Sequence, residues 1–141
     1  MGIARRDAVN RALYEALAGD ESAAEARLAG VERGPQSADA PDPAVVTLAH
    51  AVVDCRTGRH ADAARRLEAH WTEYESAASG SVLRTMRVIR AFATAMGGPR
   101  DAGPGVALLE GLRPNYPGEF AAMSVAWSEL ATFLAEHRLD G

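Results

Sequence analysis

Lysine is absent from the 141 residues, and all fifteen basic side chains are arginine. Without a side-chain amine the chain cannot form a Schiff base, anchor pyridoxal phosphate or offer the lysine of a phosphate-binding P-loop. Cysteine is nearly absent as well. The single Cys55 has no internal partner for a disulfide, which suits a reducing compartment and makes cytoplasm the expected location. No run approaches the roughly eighteen apolar residues of a membrane-spanning helix. Met1 to Asp7, MGIARRD, carries charges where a signal peptide needs its apolar stretch. Aromatics are only 6% of the chain and long β-branched runs are missing, so there is little from which to build strands. Neither sign of charge dominates either: the formal net charge is −4 with both signs interspersed, and neither nucleic acid nor a membrane surface is an expected partner.

What the chain has in abundance is alanine, 30 residues of it, the strongest helix former and one that lets helices approach closely. The expected class is all-α, and the length fits one domain spanning 1–141. A skeleton of small residue, glycine turn and amphipathic helix recurs. Ala12 and Gly19, Ala51 and Gly58, and Ala91 and Gly98 are each seven apart, and successive glycines are 39 and 40 residues apart. Such a period marks stacked supersecondary units. Three hairpins are therefore expected at about 3–33, 43–76 and 81–113. Ser22 to Glu25 has the form of a capping box, and Asp42-Pro43 that of a helix start. Ser79 or Ser81 is the expected cap of the third hairpin. Gly34 to Pro43, with three prolines, reads as an exposed connection. Phe120, Met123, Trp127, Leu130, Leu134 and His137 keep helical spacing without a break, so one continuous helix is expected at about 117–138 to cover the last hairpin. Seven helices result.

Ala51, Gly58, Ala63 and Leu67 follow the order and spacing of the tetratricopeptide-repeat motif, as do Ala12, Gly19, Ala24 and Leu28, and a third copy keeps Ala91 and Gly98. Over Ile3 to Leu112 the chain resembles a divergent tetratricopeptide-repeat protein. That resemblance implies a TPR-like α-solenoid, a right-handed superhelical stack of three hairpins with a C-terminal capping helix. It also implies an adaptor that takes a peptide or helix of another protein in a groove. Other α-solenoids and a compact bundle are the alternatives. The family's first helix has large apolar residues four before, one before and three after the small residue. Here those places hold Ala8, Arg11 and Glu15, then Thr47, His50 and Asp54, then Arg87, Arg90 and Thr94.

This departure supplies the candidate partner-binding residues. Stacked repeats would bring Arg11, His50 and Arg90 along one surface, with Arg87 one turn and Arg84 two turns before Arg90. An acidic segment of a partner would dock there through bidentate arginine contacts. The competing reading is a solvated face, with Glu15 and Asp54 pairing within their own helices four residues after Arg11 and His50, worth only a few tenths of a kcal/mol each. His50, Asp54, Cys55 and His60 invite a metal, but Cys55 points about a third of a turn from the His50–Asp54 pair and His60 lies beyond the turn, so no metal site is expected. No cofactor and no catalytic residues are expected: Cys55 reads as a packing residue, and Gly97 to Gly105 as a turn rather than a phosphate loop. Trp71, Tyr74 and Trp127 fall on apolar stripes and are expected in the core. Phe133 lies beside the seam of the last helix, and its exposure next to Leu134 would favour the alternative function, a regulatory module that forms a homodimer through that helix. A small helical enzyme is a distant third reading.

Overall fold

Two of the three glycine turns set the geometry of the chain. Gly19 and Gly58 adopt left-handed φ values of 99° and 83°. In the first turn the Gly19 amide donates to the Ala16 carbonyl and the Asp20 amide to Glu15. In the second, Gly58 donates to Cys55 and Arg59 to Asp54. Both are Schellman endings, in which the glycine takes a conformation that a Cβ disfavours and the last carbonyls find donors. Gly98, the third glycine of the period, lies outside the described residues.

A computed structural model describes residues 5–33, 43–77, 80–97 and 103–139. Among these the chain is all-α, with no strand and nine helices: α1 (Arg5–Leu17), α2 (Glu21–Arg33), α3 (Pro43–Arg56), α4 (His60–Glu68), α5 (Trp71–Ala77), α6 (Gly80–Gly97), α7 (Gly103–Leu112), α8 (Pro117–Val125) and α9 (Ser128–Glu136). No helix among the described residues is long and apolar enough to cross a membrane. Consecutive helices pair as α1 with α2, α3 with α4 and α6 with α7, and the first members contact one another in the order α1, α3, α6. Second members reach forward as well, α2 to α3 and α4 to α6.

At the centre lies α3, buried from Ala44 and Val45 through Leu48, Ala49 and the run Ala51 to Cys55. Its apolar residues face α1, α2, α4 and α6 at once, which explains why its hydrophobic positions fill more than one stripe. Ala12, Ala51 and Ala91 are buried to within 1%, consistent with their expected place where helices come together. Gly97 and Gly105 mark further close approaches, because a Cβ on either would collide with the backbone of Ala61 or of Ala95.

Four expectations need correction. Nine helices replace seven because two long ones are divided. The second helix of the hairpin expected at 43–76 is interrupted at Ala69-His70, between α4 and α5. The expected helix at 117–138 is interrupted at Ala126-Trp127. There the Arg56 guanidinium donates to the Ala126 carbonyl at 2.9 Å and lies 4.8 Å from the Trp127 ring centroid, so a tertiary partner occupies an acceptor that a continuous helix would use itself. The cap of α2 is Asp20, whose Oδ1 accepts from the Ala23 amide, and Ser22 lies within the helix. Ser81 likewise lies inside α6, which begins at Gly80, while Ser79, Asp42 and the connection at 34–42 fall outside the described residues.

Glu15 and Asp54 both find partners beyond their own helices. Each reaches an arginine twelve residues on, across the turn: Glu15 binds Arg27 in a two-pronged contact of 2.6 and 3.2 Å, and Asp54 binds Arg66 at 3.1 Å. Asp54 also accepts from Arg59, which extends to Glu25. Twelve residues on from Thr94, the equivalent place in the third hairpin, is Val106, where no such pair can form.

Two outcomes follow from this packing. Ala51→Leu should destabilise the protein by about 1–3 kcal/mol in urea denaturation, because added methylenes at a filled helix crossing force strain; an unchanged midpoint would place the crossing elsewhere. The hydrogen bond from Arg27, reinforced by the charges of Arg27 and Arg11, holds the Glu15 carboxyl below its ordinary value against the opposing effect of burial. A lowered folded-state value stabilises above the unfolded pKa, and the gain disappears as pH falls through the folded one. Wild type should therefore melt above Glu15→Gln near neutrality, and the difference should shrink as pH falls through the usual glutamate range near about pH 4.3 and vanish below the lowered folded-state value. A difference that does not shrink on acidification would show that the pair is not its source.

Candidate functional site

The longest helix, α6, has two opposed working faces. Phe92 is fully buried and meets Trp127 and Phe133 edge-on, each with ring centroids 5.6 Å apart. His60, whose Nε2 is 3.0 Å from the Glu129 carboxylate, closes the same cluster at 5.7 Å and ties α4 to α9. Phe133 is 6% exposed and belongs to this core, so it does not present the exposed seam that the homodimer alternative calls for.

Arg84, Arg87 and Arg90 stand on the other face at spacings of three. Each has a carboxylate near it. Arg84 is 3.7 Å from Glu119, Arg87 is 3.6 Å from Glu75, and Arg90 Nε donates to Glu68. Arg87 also donates to the Tyr116 hydroxyl at 2.6 Å, and the Arg90 guanidinium lies 4.4 Å from the Trp71 ring centroid. Trp71 and Tyr74 are half-buried rather than core. Their polar edges explain why: Tyr74 OH and Thr47 Oγ1 share a hydrogen bond of 2.8 Å, so α5 bridges α3 and α6 through side-chain tips.

Trp71, Glu75, Arg87, Arg90, Leu108 and Leu112 line a cleft of about 200 Å³ between α5 and α7, with α6 as its floor. Leu108 is 38% exposed. The cleft thus sets two guanidinium groups among apolar walls, an arrangement suited to a carboxylate carried beside a large apolar group. Of the five candidate residues, Arg87 and Arg90 line it and Arg84 continues the row toward α8. His50 is half-buried on α3, one turn after Thr47, and Arg11 is exposed on α1, where its charge acts on Glu15.

The groups around Cys55 are engaged separately. Cys55 is 1% exposed, and burial, with the Asp54 and Glu129 charges, pushes its thiol well up, which disfavours a nucleophilic thiolate. Asp54 is held by Arg59 and Arg66, and His60 faces Glu129. Among the described residues no group of three or more histidines, cysteines and acids is placed to hold a metal ion.

Glu68, Glu75, Tyr116 and Glu119 were not singled out from the sequence. Glu68 and Glu75 are seven residues apart, two helical turns, and that spacing was the one signal pointing to a second charged face. Tyr116 and Glu119 meet α6 only through the tertiary fold. With the geometry in place, comparison with known proteins adds no relative: no family model, no curated protein and no solved structure matches the chain.

The exposed ion pairs of the row contribute about 0–1 kcal/mol each, so the hydroxyl contact is a substantial part of what holds α5. Tyr74→Phe and Thr47→Val should each cost about 0.5–1.5 kcal/mol. The double variant should cost little more than either single change in a denaturation cycle. Additive losses would show that the two hydroxyls do not act on each other.

Proposed function

We propose that the chain is a non-enzymatic protein-interaction adaptor, built as a stack of helical hairpins similar to tetratricopeptide repeats. A partner's acidic segment docks along the row formed by the first helices α1, α3 and α6. The carrying observation is the cleft in which Arg87 and Arg90 stand between Trp71, Leu108 and Leu112. The order of contacts supports the stacked reading: first helices touch first helices, and each of α2 and α4 also reaches the next hairpin. So do the two cross-turn pairs, Glu15–Arg27 and Asp54–Arg66, set by one spacing in successive units. Arg11 and His50 extend the row away from the cleft, and Arg84 extends it toward α8.

Self-pairing through the last helix draws no support from Phe133, which is committed to the Phe92 cluster. The adaptor reading is tested by affinity capture from the source cells with wild type and with Arg87→Glu/Arg90→Glu, followed by titration of the captured protein. The double reversal should weaken binding more than tenfold while helicity is retained, and wild-type binding should weaken as salt approaches physiological strength, where screening acts within about 8 Å. Equal affinity of the two proteins would remove the row from the interface.

A further inference from the structure

The arginine row already has a ligand, and it comes from the same chain. Tyr74 and Glu75 stand three and four residues after Trp71, on one face of α5, and Glu68 ends α4 just before the break. All four point their chemistry at the first helices. Glu68 accepts from Arg90, Trp71 lies against the Arg90 guanidinium, Tyr74 meets Thr47, and Glu75 approaches Arg87. An acidic partner segment would have to make the same kinds of contact.

The break between α4 and α5 belongs to this arrangement. Ala63 and Leu67 are fully buried, whereas past Ala69-His70 the stripe continues only as half-buried Trp71 and Tyr74. A seven-residue helix has little stability of its own and depends on the groups it touches. Two of the groups that α5 touches, Arg87 and Arg90, are proposed docking groups. Thr72, Glu73, Glu75 and Ser76 are exposed, so nothing among the described residues covers α5 from outside.

We infer that α5 is a displaceable internal ligand of the arginine row, and that the partner presents a short helix of the same chemistry: Trp, aromatic and acid at positions 0, 3 and 4. This rests on the adaptor reading and adds the pattern of the segment that reading requires. Binding then exchanges one acidic aromatic helix for another, and the affinity of the intact protein is lowered by competition from α5.

The peptide EAHWTEYESA, which is Glu68 to Ala77 of this chain, is a direct probe. Labelled and titrated by fluorescence anisotropy, it should bind the full-length variant Trp71→Ala/Tyr74→Ala/Glu75→Gln at least tenfold more tightly than wild type. Adding Arg87→Glu/Arg90→Glu to that variant should abolish the gain, and a peptide with alanine at the Trp71 position should bind neither protein. Circular dichroism and melting establish that the variants are folded. Amide hydrogen exchange on wild type is an independent readout, in which α5 should open at least tenfold more often than the centre of α6. Equal peptide affinity for wild type and the folded variant, or exchange from α5 only with global unfolding, would overturn the inference. If the captured partner still needs Arg87 and Arg90 in that event, the adaptor reading stands without it. A partner indifferent to those two arginines removes both.

Discussion

A helix surrounded on nearly every side has no water to offer its polar groups, and α3 has to satisfy that constraint before anything can pack on it. Its run from Ala51 to Cys55 is buried, Asp54 included. A carboxylate in such a place is costly without partners. Arg59 and Arg66 provide them from the turn and from α4 while exposing much of their own length to solvent. The charge of α3 is thereby tied to the helix that follows it, and the hairpin angle and the ion pair depend on each other. In the first hairpin Glu15 and Arg27 repeat the arrangement nearer the surface. The third hairpin has Thr94 and Val106 at the corresponding positions, so the pair is not repeated there.

How far the fold could be read from the residues depended on the range of the interactions responsible. The Gly19 and Gly58 turns were legible because a left-handed helix ending is a local requirement that glycine meets best. The buried alanines were legible because small residues recur at one place in the period. The breaks at Ala69-His70 and Ala126-Trp127 were not. Both interrupt stripes that keep perfect helical spacing, and the second coincides with a contact from Arg56, seventy residues away. Periodicity reports which side of a segment is apolar, not whether the segment stays straight.

The candidate residues show the same division. The helical spacing of Arg84, Arg87 and Arg90 placed them on one face from sequence alone, and α6 keeps them there. What they face required the fold. Glu68, Glu75 and Glu119 arrive from three separate helices, and Tyr116 from the turn before α8. The place of Phe133 beside the seam left its exposure open, and only the fold sets its ring against Phe92. A substituent one step off a stripe is exposed only if its helix has a single neighbour.

The two Schellman turns have the same backbone shape but not the same surroundings. A Cβ at Gly58 would meet open space, whereas one at Gly19 would run into the Arg56 guanidinium, itself fixed by the Ala126 carbonyl and the Trp127 ring. Asparagine, which tolerates left-handed φ, is therefore compatible with position 58 and obstructed at position 19. A side chain at position 58 enters open space, whereas one at position 19 has to displace the Arg56 guanidinium from its acceptor and its ring. The second place is a socket: the first hairpin, the end of α3 and the break before α9 meet around the atom that Gly19 lacks.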